Sequence, residues 1–155
     1  MEGFYRATIE NSDAIYKIIP DHKYEDRAFN IKRLRVEEIY VFINDEETVL
    51  VAYEPAYGDI PWLTGHAYTS RSGRGVPLKE LFWASGIWIF QNTKFQVITG
   101  VVPAHLRRYG LFLGAMGATR EFEYDGTVLY SYNESQVPRF QKELDALRAQ
   151  KKQEK

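Results

Sequence analysis

The residues whose types and spacing best suit chemistry lie in one run, Tyr68-Thr69-Ser70-Arg71-Ser72-Gly73-Arg74-Gly75-Val76-Pro77. An alternating stretch ends there, two glycines follow, and an amphipathic segment begins. The run reads as an anion site at a helix start. Backbone N–H groups at such a start carry partial positive charge, and glycine lets a phosphate come close to them. Arg71 and Arg74 add charged donors, and Pro77 fits a first helical turn, which needs no N–H from it. The plainer alternative is a tight strand-to-helix turn with two solvated arginines, so the surrounding elements must decide.

Those elements belong to a chain of 155 residues, the size of one domain with an ordinary core. It has no cysteine, which removes disulfide frameworks, thiol nucleophiles and thiolate metal sites. Its three histidines, His22, His66 and His105, are scattered, so no metal is expected. A formal net charge of −1 gives no global attraction for nucleic acid, and any anion site must be local. The amino terminus lacks a signal-peptide core and no apolar run has the length of a membrane span. A soluble, cytoplasmic protein is the expectation. Aromatic residues make up 15%, more than a minimal core needs, which points to a cleft or a partner surface.

Phe4 to Ile9 reads as an opening strand, and Asn11-Ser12-Asp13 supplies cap chemistry for a helix carrying Ala14, Ile15, Ile18 and Ile19, stopped by Pro20. The spacing over residues 21–36 allows a second helix. Glu38–Ile43 and Thr48–Tyr53 form a hairpin around Asn44-Asp45-Glu46-Glu47. After a loop from Pro55 to Pro61, a strand over Trp62–Thr69 leads into the glycine run. It sets Trp62, Thr64, His66 and Tyr68 on one face and the small residues Leu63, Gly65, Ala67 and Thr69 on the other. The helix that follows is apolar well beyond one stripe and is expected to be buried. Phe95–Val102 is a further strand. Pro103-Ala104-His105 starts a helix with Leu106, Tyr109, Leu113 and Met116 inward, Gly110 and Gly114 packing closely, and Gly117 as its cap. Asp125-Gly126 joins two strands, 118–124 and 127–132, as a hairpin. Residues 1–134 thus form an α/β domain. Residues 135–155 add an amphipathic helix and a frayed basic tail to that same domain.

In this order of elements the chain resembles the GNAT superfamily of acyl-CoA-dependent N-acyltransferases, over roughly Phe4 to Tyr132. Tyr5-Arg6-Ala7-Thr8 with Asp13-Ala14-Ile15 is similar to the opening strand and helix. Leu113-Gly114-Ala115-Met116-Gly117-Ala118 resembles the helix-ending signature, and Ser70-Arg71-Ser72-Gly73-Arg74-Gly75 stands where the family carries Gln/Arg-x-x-Gly-x-Gly/Ala. The ending around Tyr124-Asp125-Gly126 is also similar to GNAT-like tailed-phage head-assembly or internal virion proteins. The resemblance implies a mixed, mostly antiparallel sheet of six or seven strands with helices on both faces. It further implies acetyl-CoA as co-substrate, with the pyrophosphate on the amides of Ser70, Arg71, Ser72, Gly73, Arg74, Gly75 and Val76, and the pantetheine arm along a splayed strand edge near Ala67 and Thr69. Departures are equally specific. Ser70 replaces the first motif residue. Leu106 lies near a common asparagine position, and Leu113 stands where the family has the tyrosine that protonates the departing thiolate; Tyr109 is the nearest replacement.

The activity this implies is transfer of an acetyl group from acetyl-CoA to a primary amine by direct attack, with N–H groups near Ala67 to Thr69 polarising the carbonyl. His66 would serve as general base, since imidazole titrates near neutrality; the plainer reading is a packed or hydrogen-bonded histidine. Tyr109 would be the acid, against an ordinary core aromatic. Trp62, Tyr68, Trp83 and Trp88 read as core before acceptor pocket, Glu121 and Glu123 as a solvent face before an amine attractor, and Arg107-Arg108 as a solvated face that the fold would bring near the coenzyme mouth. The acceptor would be a small molecule or a protein amine, with neither nucleic acid nor membrane as partner, and a homodimer as a further option. The competing class is a GNAT-shaped protein that has lost catalysis and serves in binding or phage assembly, with a virion partner. An open gap between strands 62–69 and 95–102 would favour the coenzyme; a wide exposed aromatic patch would favour assembly.

Overall fold

The computed structural model describes residues 2–11, 13–18, 39–56 and 60–154. The cap expected at Ser12, the stop at Pro20 and the second helix over 21–36 lie outside the described residues. So do Ile19, Glu38 and the middle of the 55–61 loop.

Strand β1 (Phe4–Arg6) leads through a single 3-10 turn to helix α1 (Asp13–Ile18). Strands β2 (Tyr40–Asn44) and β3 (Val49–Pro55) form the expected hairpin. Its turn is held by Asn44, whose buried side-chain oxygen accepts from the N–H groups of Thr48 and Val49 at 2.9 and 2.8 Å. Strand β4 (Trp62–Thr69) precedes the glycine run and helix α2 (Val76–Asn92), and strand β5 (Val97–Pro103) follows. Helix α3 (Arg107–Ala115), strands β6 (Thr119–Tyr124) and β7 (Thr127–Asn133), and helix α4 (Val137–Gln153) complete the chain.

The seven strands run in the order β1-β2-β3-β4-β5-β7-β6, and every neighbouring pair is antiparallel except β4 and β5. A parallel pair cannot be closed by a short turn, and here α2 makes the crossover. This is the mixed, largely antiparallel architecture expected from the sequence.

Alternation assigns the two faces. Phe42, Val51, Tyr53, Leu63, Ile98 and Tyr132 lie under α2 and α4, with Phe140 and Leu144 closing the far side. Trp83 donates its indole N–H to the Met116 carbonyl at 3.3 Å, and the Trp88 ring meets Phe42 edge-on at 5.3 Å. On the opposite face Val41, Ile43, Leu50 and Ala52 pack against Ala14, Ile15 and Ile18 of α1. Strands β2 and β3 are therefore buried on both sides. Strand β6, at the sheet edge, is exposed along its whole length.

Two local expectations change. The helix after β5 begins at Arg107, not Pro103: Pro103 still pairs with Thr127, and the Ala104 N–H donates to the Gly126 carbonyl at 2.8 Å. Tyr109 does not point into a core; it is 58% exposed, and Leu106 is 38% exposed. The inward side of α3 comes from Phe112 and Leu113, partly buried, and from Met116 just beyond it. Gly117 ends the helix as expected, in a left-handed conformation, with the Ala118 N–H donating to Leu113. Asp125 and Gly126 both take positive φ, 50° and 75°, as a two-residue hairpin turn requires.

Candidate functional site

The site is built on the one parallel seam of the sheet. Along its β3 edge, β4 is paired from Leu63 to Thr69. Along its β5 edge only Trp62, Leu63 and Thr64 are paired, with Val97, Ile98 and Thr99. Beyond Thr64 and Thr99 the strands part. Each keeps its outer neighbour, so the opening cannot be closed from either side. Backbone groups that a continuous sheet would consume are left facing a gap. Thr99 marks the vertex: its buried hydroxyl donates to the Leu63 carbonyl at 3.2 Å.

A cavity of about 1150 Å³ occupies this opening, lined by Gly65 to Thr69 on one side and Thr99 to Pro103 on the other. Gly65 gives its space to the core, since a Cβ there would stand 3.3 Å from the Tyr53 ring and 3.5 Å from Ile98. Ala67 and Thr69 line the cavity.

The glycine run divides into two parts. Arg71–Gly73 form a 3-10 turn pinned to the β2–β3 hairpin: the Ser70 N–H donates to the Thr48 carbonyl at 2.9 Å, and the Gly73 N–H returns to Ser70 at 3.1 Å. The Ser70 hydroxyl also turns toward Thr48, at 3.3 Å. Gly73 is buried, and a Cβ there would fall 2.1 Å from the Thr48 carbonyl oxygen. The expectation that Ser70 and Gly73 face a phosphate is thus corrected. Their N–H groups are spent locally, and Gly73 is glycine so that the loop can rest on the hairpin. Gly75 is the opposite case. It takes φ +82°, with open space where a Cβ would stand, and it caps α2 without any side chain satisfying the first turn. The Val76 and Leu78 N–H groups stay available there, and Pro77 has none to satisfy. The part of the run whose N–H groups remain open to a ligand narrows to Gly75, Val76 and Leu78, with the Arg74 side chain beside them. Arg71 and Ser72 stand on the turn before it, Arg71 exposed to solvent.

Charge around the cavity is one-sided. Arg74, Arg107 and Arg108 line it, and no carboxylate among the described residues does. None of the three makes an ion pair with another described residue. Such free cations around an apolar slot suit an anionic ligand. His66 also lines the cavity, on the α1 face of β4, with its Nε2 3.2 Å from Glu54 Oε1. It is hydrogen-bonded, as the plainer reading expected, and it stands on the cavity wall. Tyr109 lines the mouth and is 58% exposed, on the outer side of the first turn of α3.

Three tyrosines form the floor. Tyr53 meets the Ser85 hydroxyl at 2.6 Å and is also bonded to Tyr132. Burial pushes the Tyr53 hydroxyl up to about 12, against the opposing pull of Ser85, and raises Tyr132 well above its ordinary range. Both stay neutral and act as packing. Tyr130 is different. It is 9% exposed and lines the cavity, yet its hydroxyl makes no hydrogen bond with any described residue. Sequence reading missed Tyr130; only the alternation that places it on the inner face of β7 with Val128 and Tyr132 was there to be seen.

No family profile and no curated protein sequence matches the chain. Solved structures do. A point mutant of spermidine N-acetyltransferase SpeG from Vibrio cholerae superposes with TM-score 0.69 at 10% identity, covering 86% of this chain and 96% of that one. FdhC, described as a nucleotide-linked sugar GNAT, gives 0.67 at 13%, with 88% of both chains covered. The chain has the GNAT fold. Ribosomal-protein-alanine N-acetyltransferase from Brucella melitensis shares the GNAT fold with it at TM-score 0.61 and 14% identity, over 84% and 98% of the two chains. These three structures carry acetyltransferase or GNAT names, and none of them is a phage assembly protein. Among the described residues, no helix of this GNAT fold is long and apolar enough to cross a membrane.

Proposed function

We propose that this protein is an N-acetyltransferase that moves the acetyl group of acetyl-CoA to a primary amine. One observation carries the reading: the seam between β4 and β5 parts after three residues and opens on an uncapped helix start flanked by arginines that make no ion pair among the described residues. Coenzyme A matches that shape, a diphosphate at one end of a narrow chain with a thioester at the other. The diphosphate lies on the N–H groups of Gly75, Val76 and Leu78, with Arg74 beside it and Arg107 and Arg108 across the mouth. The pantetheine arm uses the unpaired edge of β4 near Ala67 and Thr69. Backbone N–H groups there polarise the thioester carbonyl.

The amine attacks the carbonyl carbon directly. His66, held by Glu54, takes the proton that the nitrogen sheds, from the face of β4 opposite α2. The largely apolar walls, once the coenzyme fills the gap, limit the water that can compete for the thioester. Spermidine and protein alanine amines are the acceptors named for two of the similar structures; a primary amine is the class proposed for this chain.

A second reading has its own support. Val101, Phe122 and Tyr124 are 53%, 56% and 77% exposed on the open face of β5, β7 and β6, which is the pattern of a binding or assembly protein without turnover. Titration of acetyl-CoA into the protein, followed by thiol release with a panel of primary amines, separates them. Saturable binding that is weakened by Arg74→Ala, with amine-dependent thiol release, supports the transferase. Absence of heat and of thermal shift at millimolar acetyl-CoA overturns it.

A further inference from the structure

We infer that Tyr130, on strand β7, is the catalytic acid that protonates the departing thiol sulfur. The inference rests on the acetyltransferase reading and assigns a role within the same site. An alkyl thiol leaves as a thiolate whose conjugate acid has a pKa of about 8.5, so expulsion is faster when a proton donor meets the sulfur as the bond breaks. On helix α3, Leu113 has no proton to give and the Tyr109 ring is 58% exposed at the mouth, so a donor inside the cavity is sought elsewhere on its wall.

Position selects Tyr130. It pairs in register with Gly100, one residue past Thr99, where β5 leaves β4. Side chains of paired strand residues stand on the same face, and Gly100 has none, so the ring of Tyr130 borders the beginning of the gap. The hydroxyl reaches under α3 at Gly110, where a Cβ would approach it to 2.5 Å. Gly110 is therefore small so that this hydroxyl fits beside the helix. A Cβ on Gly100 would lie 3.8 Å from Leu113, so the same corner is roofed by an apolar side chain that offers no hydrogen bond.

Elimination agrees. Tyr53 and Tyr132 are tied to each other and to Ser85. Tyr68 stands on the opposite face of β4, packed toward α1. Tyr130 alone among these is more than nine-tenths buried, lines the cavity and has a hydroxyl without a hydrogen bond to any described residue. The Tyr130 hydroxyl is not sealed, since no buried side-chain polar atom among the described residues lacks a partner; it opens on the cavity, where an arriving ligand atom can meet it.

The step balances. The amine nitrogen bonds to the carbonyl carbon and loses one proton to His66. The carbon–sulfur bond breaks with its electron pair on sulfur, and sulfur takes the phenolic proton of Tyr130. The products are the amide and free coenzyme A. The phenolate then regains a proton from solvent, to which His66 returns its own. General base and general acid thus work from opposite faces of the sheet across one gap.

The test is Tyr130→Phe in the full chain, assayed beside the unaltered protein and Tyr124→Phe, which lies outside the cavity. The expected result is a kcat lower by about 100-fold with KM and Kd for acetyl-CoA changed less than about twofold, while Tyr124→Phe stays near the parent. Unchanged kcat in Tyr130→Phe overturns the assignment. Should Tyr130→Phe fold poorly, 3-fluorotyrosine at position 130 decides the matter, since fluorine makes the phenol more acidic at almost constant shape. An alkaline limb of kcat moved to lower pH supports the role, and an unmoved limb overturns it. Failure of the underlying reading looks different: the unaltered protein itself neither binds acetyl-CoA nor releases thiol, and the assignment falls with it.

Discussion

The two edges of strand β4 behave in opposite ways. Toward β3 it is paired from Leu63 to Thr69, with side chains buried on both faces of the neighbouring strand; toward β5 it is paired over three residues and then stands open. The closed edge spends its backbone groups on structure. The open edge leaves them unspent, and it can do so because α2 and α4 hold the sheet from one face while β3 and β7 hold the strands from outside. The opening is a place where the sheet is left unfinished.

The contrast can be broken at measurable points. Leu63→Ala, at the vertex and fully buried, should cost the most, about 3–5 kcal/mol in urea unfolding, because a cavity opens beneath both strands. Gly73→Ala should destabilise by about 3 kcal/mol, since its Cβ meets the Thr48 carbonyl on the closed side. Raising the pH tests the closed edge in another way. Tyr53 ionises more reluctantly in the fold than in the unfolded chain, so its contribution is complete below pH 10 and is lost as pH climbs through about 12. Thermal midpoints should fall over that window by an amount equivalent to on the order of 2 kcal/mol. On the open side Arg74→Ala should weaken acetyl-CoA binding about tenfold by calorimetry and leave unfolding unchanged. Phe122→Ser, on the exposed edge strand, should alter stability by less than about 0.5 kcal/mol, and a large change in association state would favour the assembly reading.

Much of this was legible in the sequence, where local chemistry decides local structure. Trp62–Thr69 as a strand, Pro77 in the first turn of α2, and Asp125-Gly126 as a hairpin turn all follow from residues acting on their own backbone. The seven-stranded, mostly antiparallel sheet followed from their order. What escaped depends on distant partners. Gly73 and Gly75 look equivalent in the chain, yet one is glycine because of Thr48 and the other because of φ. Tyr109 has helical spacing with Leu113 but lies at the mouth of the gap instead of in a core, which no periodicity reveals. Tyr130 is one of eleven tyrosines, and only the third dimension sets its hydroxyl apart.

The three tryptophans sit in unequal surroundings. Trp83 is buried and hydrogen-bonded to Met116, Trp88 lies edge-on against Phe42, and Trp62, 42% exposed, stands where β4 and β5 are still joined. The molecule therefore carries two kinds of intrinsic optical reporter. Emission from the helix pair follows loss of the interior as a whole. The water-facing indole, accessible to a soluble quencher such as iodide, reads the junction of the two strands without any added label.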